Sequence, residues 1–144
     1  MIKILPMSES HLDEAAALEK ICFSVPWSRA MLEYELHEES AKWLAAVDGD
    51  GHLAGYVGYH QVLDEGSIMN VAVHPDHRRK GIASKLLHNL FSDLTGASAV
   101  YLEVRDSNEP AQRLYEHFGF KPCGKRRNYY EHPTEDAVIM VKNM

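Results

Sequence analysis

The sequence predicts an α/β protein in which helices flank both faces of a mixed central β-sheet. The first observation is that apolar residues recur with a period of two in some segments, as in strands, and of about 3.6 in others, as in helices. The second is the predicted order of these segments, α-α-β-β-β-α-β-α-β-β. The third is the length of 144 residues, which predicts one domain over residues 1–144, since domains cluster at roughly 100–150 residues.

The two helices predicted first begin at capping residues. Ser10 followed by Asp13 resembles a capping box and predicts a helix to about Cys22. Four residues of this helix are expected to face inward: Leu12, Ala15, Leu18 and Cys22. After a Pro-Trp-Ser break, Ser28 is suited to cap a second helix, which we expect to end near Glu39.

Three strands are predicted in the middle of the chain. Residues 42–47 and 53–62 are rich in strand-forming residues and are joined by Asp-Gly-Asp-Gly, a sequence typical of hairpin turns. A further turn at residues 63–66 separates them from a third strand at residues 67–73. Residues 74–81 form a polar loop.

The second half alternates between helix and strand. Apolar residues at helical spacing predict a helix from Ile82 that ends at a Thr-Gly pair. Residues 100–105 alternate as a strand that presents Glu103 on its non-aliphatic side. Asn108 is suited to cap a short helix that Gly119 ends. Two strands, around residues 120–126 and 136–141, complete the predicted sheet.

The composition narrows the class of protein. The net charge of −6, from 15 basic and 21 acidic residues, disfavours a general nucleic-acid binder, which needs excess positive charge to neutralise phosphates. No apolar run approaches the roughly 20 residues of a membrane-spanning helix. Cys22 and Cys123 form no close pair and are expected to be reduced, as is usual in the cytoplasm. We therefore expect a cytoplasmic protein that binds neither membrane nor nucleic acid.

A basic loop between the third strand and the following helix is a candidate anion site. Residues 71–73 (Val71, Ala72 and Val73) end the strand, and three cations, Arg78, Arg79 and Lys80, precede Gly81. The amides and the macrodipole at a helix start attract anions, and glycine allows close approach, so this pattern suits a pyrophosphate. The alternative is a solvated basic turn, because such loops are common on surfaces.

Three further residues are candidates for chemistry. Glu103 is a candidate because the apolar alternation of its strand fixes the side on which it lies, and the alternative is an exposed strand carboxylate paired with Arg105. Tyr115 lies at helical spacing with Ala111, Leu114 and Phe118, so a core aromatic is the alternative to a catalytic tyrosine. The alternative for Asn108 is a helix cap and nothing more.

The order of two motifs resembles the GNAT superfamily of acetyltransferases. Arg78, Gly81 and Ala83 fit the superfamily's cofactor loop, Gln/Arg-x-x-Gly-x-Gly/Ala, and residues 108–120 read N-x-x-A-x-x-L-Y-x-x-x-G-F. The resemblance is strong over residues 53–120. Ala83 stands where glycine is commoner, and Ser84 stands where a basic residue is frequent. We expect these two differences to lower the affinity for the cofactor without abolishing its binding.

The resemblance implies acetyl-CoA as co-substrate and a role for each candidate. Glu103 would accept the amine proton, and Tyr115 would protonate the departing CoA thiolate. The cofactor would contact the strand end, the loop and the helix start, at Val71, Ala72, Val73, Arg78, Arg79, Lys80, Gly81, Ile82, Ala83 and Ser84, and also Asn108 and Tyr115. No metal is implied.

Other segments narrow the resemblance to the RimI type of the superfamily, which acetylates the N-terminal alanine of a small-subunit ribosomal protein. These segments are residues 23–28, 102–105 and 126–130. Three aromatic residues would then bind the peptide N-terminus: Trp27, Tyr129 and Tyr130. The alternative is that these three side chains pack in the core. The expected partner is the N-terminus of a ribosomal protein.

Three rival functions remain at this point. One is acetylation of a small-molecule amine or a lysine side chain. Another is a non-catalytic module that binds CoA or a peptide, which the presence of Glu103 and Tyr115 disfavours. The third is a metal-dependent hydrolase using some of the nine histidines, but His74 and His77 lie in a loop without further ligand spacing.

Overall fold

The computed structural model describes residues 1–144, which form four α-helices, two short 3-10 helices and seven strands. The 3-10 helices are Glu9–His11 and Pro75–His77. The other elements are, in chain order, β1 (Lys3–Pro6), α1 (Leu12–Cys22), α2 (Arg29–Leu36), β2 (Ala41–Val47), β3 (Leu53–Val62), β4 (Glu65–Val73), α3 (Ile82–Asp93), β5 (Ala99–Arg105), α4 (Glu109–His117), β6 (Lys121–Tyr130) and β7 (Glu135–Asn143).

The seven strands form one sheet in the order β1-β2-β3-β4-β5-β7-β6. The pair β4–β5 is parallel, whereas β1–β2, β2–β3, β5–β7 and β6–β7 are antiparallel, so the predicted mixed sheet is confirmed. The pairing of β4 with β5 covers only residues 65–67 of β4. The remainder of β4 therefore has no ladder partner in β5.

The chain divides into two compact units. The first unit comprises Met1–His60 and Met69–Thr95, and the second comprises Gln61–Ile68 and Gly96–Met144. Helices α1, α2 and α3 belong to the first unit and α4 to the second.

In the first unit, β2 separates two layers of apolar side chains. Trp43, Ala45 and Val47 belong to one buried cluster with α1 and α2, which contribute Leu12, Ala15, Leu18 and Leu32. Leu44 and Ala46 alternate with them along β2 and are also buried. Because successive strand residues point to opposite faces, these two lie on the other face. Helix α3 contacts β1 and β2 and buries its own apolar stripe, Ile82, Leu86, Leu87 and Leu90. The predicted coverage of both faces is confirmed.

In the second unit, the core is formed by alternate residues of two neighbouring strands. Val100, Leu102 and Val104 of β5 are buried, as the period of two predicts, and so are Val138 and Met140 of β7. On the next strand, β6, nine of the ten residues are exposed, from Lys121 to Tyr129. Since β6 is the last strand of the sheet, its charged side chains also protect an edge that would otherwise invite pairing with another chain.

Several predicted boundaries were wrong, and one strand was missed. Strand β1 has only four residues and too little alternation for a sequence signal, yet it pairs with β2. The capping box lies at Ser8 and His11, not at Ser10 and Asp13: the Ser8 N–H donates to Nδ1 of His11 at 3.1 Å. A 3-10 turn therefore precedes α1. Helix α2 ends at Leu36 rather than near Glu39.

The inward face of α1 also differs at one position. Leu12, Ala15 and Leu18 are buried as predicted, but the fourth buried residue is Glu19, and Cys22 is only half-buried. A charged residue is not expected inside, because burying an unpaired charge is costly. Glu19 is buried because it has three hydrogen-bond donors around it, two of which come from β3 and β4.

Candidate active site

The loop from β4 to α3 leaves the start of the helix open. Gly81 is the N-cap of α3 with φ 74° and ψ 19°, a left-handed conformation that favours glycine, and no side chain caps the helix. By contrast, Ser28 caps α2 and Asn108 caps α4 through side-chain oxygens. The first amides of α3 therefore remain available to a ligand, and the positive end of the helix dipole favours an anion there.

The three cations of this loop differ in their surroundings. Arg79 and Lys80 are exposed and form no ion pair. Arg78 instead turns back towards β4: its Nε donates to the Val73 carbonyl at 3.3 Å, and its terminal nitrogen lies 3.7 Å from Sγ of Cys22. Arg79 and Lys80 are thus available to a charged ligand, whereas Arg78 is bonded to the end of β4.

The end of β4 has backbone groups that β5 does not use. Val71 and Val73 are half-buried and Ala72 is buried. On the side of β3, Gly55 permits a close approach, because a Cβ there would lie 2.6 Å from the Ala72 carbonyl oxygen. Beyond the loop, Ile82 is buried and the next two residues, Ala83 and Ser84, are half-buried. All the cofactor residues predicted in residues 71–84 lie within the first unit.

In the second unit, Glu103 lies beside Tyr129 and Arg126. The Tyr129 hydroxyl donates a hydrogen bond to the carboxylate, which is the main reason why the pKa of Tyr129 is raised. Arg126 Nε lies 3.8 Å from Oε1 of Glu103, and its guanidinium is 5.8 Å from the centroid of the Tyr129 ring. The alternative interpretation paired Glu103 with Arg105. That pairing was wrong, because the arginine beside Glu103 is Arg126.

Arg105 anchors the neighbouring Tyr130 instead. Its guanidinium lies 4.6 Å from the centroid of the Tyr130 ring, within range of a cation–π interaction. The same group donates to the carbonyls of Glu131 and Pro133 and to the carboxylate of Glu135. Burial raises the pKa of Tyr130. The sequence analysis missed this role of Arg105, although the alternation of β5 placed it on the same side as Glu103.

Tyr115 is buried in the second unit, with its ring 5.9 Å from that of Phe120 in an edge-on arrangement. Burial alone raises the pKa of its hydroxyl to about 12, with no hydrogen bond contributing. The proximity of Tyr115 also raises the pKa of Tyr130 slightly. The Tyr115 ring therefore packs in the core, and its hydroxyl stays protonated and makes no hydrogen bond within the chain.

Asn108 serves as the predicted helix cap. Its Oδ1 accepts from the backbone N–H of Ala111 at 3.2 Å. The side chain is exposed, and its amide NH₂ makes no bond within the chain. The structural and the functional interpretations of this residue are thus compatible, because each uses a different atom.

Trp27, the remaining predicted peptide residue, lies in the first unit between α1 and α2. Its half-buried ring is 6.0 Å from that of Trp43, and its backbone N–H donates to Oε1 of Glu19 at 2.8 Å. Tyr129 and Tyr130 are adjacent in the second unit, with ring centroids 5.0 Å apart. Of the three residues predicted to bind the peptide, Tyr129 is the most exposed, with 51% of its surface accessible.

Two other observations concern possible ligands and membranes. The rings of His74 and His77 are 6.2 Å apart, and no group of three or more His, Cys, Asp and Glu side chains is placed to hold a metal ion. Among the helices, none has the length and apolar character needed to cross a bilayer.

The fold and these motifs define an acetyltransferase. Residues 12–120 match the model of the acetyltransferase (GNAT) family, and the chain belongs to this family. The resemblance inferred from Arg78, Gly81, Ala83 and residues 108–120 is thereby confirmed.

More specific relatives are similar over almost the whole chain. The putative ribosomal protein bS18-alanine N-acetyltransferase of Bacillus subtilis is 37% identical over 131 residues, which cover 90% of this chain and 87% of that protein. The ribosomal protein bS18-alanine N-acetyltransferase of Escherichia coli is 35% identical, with 98% of this chain and 97% of that protein covered.

Solved structures agree with the sequence relatives. The crystal structure of the ribosomal-protein-S18-alanine N-acetyltransferase from Escherichia coli has a TM-score of 0.92 and 33% identity, covering 99% of this chain and 94% of that chain. Arabidopsis thaliana NAA60 in complex with acetyl-CoA has a TM-score of 0.89 at 21% identity, covering 100% of this chain and 99% of that chain. Because only 21% of residues are identical, the similarity to NAA60 is evidence for the fold alone.

Proposed function

We propose that this chain transfers the acetyl group of acetyl-CoA to the α-amine of a protein N-terminus, and that its substrate is the N-terminal alanine of ribosomal protein bS18. The observation that carries this proposal is the 35–37% identity, over nearly the whole chain, to relatives that bear this activity in their names. Residues 1–144 would act as one acetyltransferase domain. Its place of action would be the cytoplasm, where ribosomal proteins are made.

The first unit supplies the proposed binding site for acetyl-CoA. The open amides at the start of α3, with Arg79 and Lys80 beside them, suit a pyrophosphate. The backbone groups of β4 that β5 does not use suit the amides of the pantetheine arm, which can pair with them like an added strand. They can also polarise the thioester carbonyl. The free NH₂ of Asn108 is a further donor for the arm.

Replacing Gly81 with Asp tests the pyrophosphate site. The added carboxylate repels a like charge at the helix start, so the KM for acetyl-CoA should rise more than tenfold, which corresponds to about 1.4 kcal/mol or more. Gly81→Ala is the matched control: it imposes left-handed strain at least as large as that of Asp but adds no charge, and its Cβ would meet nothing within 4 Å. We expect the Asp variant to raise KM far more than the Ala variant. Steady-state kinetics measure both KM values. If the two variants raise the KM for acetyl-CoA equally and only slightly, this loop does not bind the pyrophosphate.

Glu103 is the proposed base. An α-amine has a pKa of about 7.7–8.0, so only a modest driving force is needed to remove its proton near neutrality, directly or through a water. The Tyr129 hydroxyl holds the Glu103 carboxylate in place by a hydrogen bond, and Arg126 Nε lies 3.8 Å from its Oε1. A carboxylate has about four lone-pair sites, so it can still accept a further hydrogen bond from an amine or a water. The base is therefore oriented before the amine arrives.

Tyr115 is the proposed acid for the departing CoA thiolate. With a pKa of about 12 its hydroxyl is neutral at every physiological pH, so the proton is always present. A free thiol has a pKa of about 8.5, so complete proton transfer from Tyr115 is uphill by several kcal/mol. The role best suited to this residue is donation of a strong hydrogen bond to the developing negative charge. If the thiolate takes this proton as it departs, the phenolate left on Tyr115 regains a proton from solvent.

The peptide N-terminus would be held by three aromatic residues. Tyr129 is half-exposed and already bound to the base, and Tyr130 is fixed beside it by Arg105. Trp27 is held in the first unit by its ring and by its backbone. Aromatic side chains with few rotatable bonds lose little entropy on binding, which makes them suitable contacts for a short peptide.

Two peptides distinguish N-terminal acetylation from acetylation of a side chain. One carries a free N-terminal alanine, and the other is blocked at its N-terminus and carries an internal lysine. The first should be acetylated and the second hardly at all, because an α-amine is neutral far more often at pH 7 than a lysine with a pKa near 10.4. Mass spectrometry of the products gives both rates. Equal rates would instead support the alternative of a lysine or small-amine acetyltransferase.

A further inference from the structure

The buried carboxylate of Glu19 is the one charged group of the first unit's core that the proposed reaction does not use. Only 1% of the residue is exposed. Oε1 accepts the backbone N–H of Trp27 at 2.8 Å, and Oε2 accepts Nδ2 of Asn70 at 2.9 Å together with the Tyr56 hydroxyl. Three donors face the group and act to lower its pKa, but burial outweighs them, so the pKa of Glu19 is raised above its ordinary value.

These bonds fix Trp27 at two points. The Trp27 ring packs on Trp43 at 6.0 Å, and Trp43 packs on Tyr56 at 5.9 Å. Tyr56 in turn donates to Glu19, which accepts from the backbone of Trp27. The contacts therefore form a closed ring in which Glu19 is the only polar acceptor. Without it, the segment between α1 and α2 loses its bond at Trp27.

The same turn of α1 also holds β4. Asn70, bonded to Glu19, directly precedes Val71 in the strand proposed to bind the pantetheine arm. One turn after Glu19, Sγ of Cys22 donates to the Val73 carbonyl at 3.6 Å. The end of α1 thus makes polar contacts with both a proposed peptide residue and the proposed cofactor strand.

We propose that Glu19 is a positioning residue for the peptide acceptor, holding the Trp27 segment against β4; this inference rests on the proposed function. Glu19 touches neither substrate. It is bonded directly to the Trp27 backbone, whereas on the cofactor side it reaches only Asn70, the residue before the proposed pantetheine contacts on β4. The proposed contacts in the loop and in α3 do not depend on it, so its loss should affect the binding of peptide more than that of acetyl-CoA.

Glu19→Gln is the direct test. The amide keeps the size of the carboxylate but replaces one acceptor oxygen with an NH₂ donor and removes the negative charge, so the three bonds cannot all persist in their present form at full strength. We expect the KM for the alanine peptide to rise about tenfold, with kcat and the KM for acetyl-CoA within about twofold. Hydrogen exchange at the Trp27 amide should accelerate, because its acceptor is weakened.

Glu14→Gln is the matched control. Glu14 lies on the same helix, and its carboxylate also accepts a backbone N–H, that of Leu53 at 3.0 Å. Its loss should lower stability without changing the peptide KM. If Glu19→Gln does not fold, an ester in place of the Trp27 backbone amide removes the donated hydrogen and leaves every side chain intact. That variant should show the same rise in peptide KM.

The outcomes separate this inference from the proposed function. A folded Glu19→Gln or ester variant with unchanged peptide KM would overturn the positioning role, and so would an equal rise in KM in Glu14→Gln. If the unmodified protein does not acetylate the alanine peptide at all, the proposed function fails instead. In that case exchange at the Trp27 amide still tests whether Glu19 holds the segment.

Discussion

Tyr115→Phe is expected to lower kcat about 100-fold or more while the protein remains folded. The substitution removes only a hydroxyl that takes no part in a hydrogen bond within the chain, and it keeps the ring that packs on Phe120. Because no buried partner is left unsatisfied, the melting temperature should change little. The KM for both substrates should also change little, since the bond to the thiolate forms only as charge develops.

The control for Tyr115 is Tyr59→Phe. Tyr59 is also buried, and its pKa is also raised by burial, but it lies on β3 and has no proposed role in the reaction. We expect full kcat in this control. Rapid-quench measurements should confirm that chemistry limits the rate, because slow product release would hide the effect. A Tyr115→Phe enzyme with full kcat under that condition would make Tyr115 a core aromatic only.

The fold was largely predictable because its signals are local and strong. The period of 3.6 in the apolar residues from Ile82 predicted α3. The alternation at residues 100–105 predicted β5 and the side of it that is buried. Strand β1 was not predictable in the same way, since its four residues are defined by pairing with β2 and carry almost no pattern of their own. Non-local pairing decides such short strands.

The site was predictable as a set of residues but not as a set of contacts. The motifs indicated Glu103, Tyr115 and the loop around Gly81. They did not reveal that Tyr129 bonds to Glu103 or that Arg105 fixes Tyr130, because β5 and the end of β6 are joined only through tertiary structure. The burial of Glu19 could not be predicted for a related reason. A charge within a helical pattern is normally solvent-exposed, and its three donors lie 8, 37 and 51 residues away in the chain.

Glu103→Gln is expected to lower kcat/KM for the alanine peptide near neutral pH by about 100-fold, because a neutral amide cannot accept the amine proton. The substitution keeps the shape of the side chain and retains an oxygen that can accept from Tyr129. The KM for acetyl-CoA should therefore stay unchanged. Steady-state kinetics with each substrate varied in turn would separate the two effects.

The pH dependence makes the assignment of the base specific. At pH 7 about a tenth to a sixth of an α-amine with a pKa of 7.7–8.0 is neutral, and at pH 9 more than about nine-tenths is. The Gln variant should therefore recover up to about tenfold in kcat/KM between these values, since solvent then performs the deprotonation. Glu116→Gln, which removes one exposed negative charge from α4, should match the unmodified enzyme throughout. If Glu103→Gln retains the unmodified enzyme's rate and pH profile, Glu103 is not the base, and Tyr129 is bound to it for structural reasons alone.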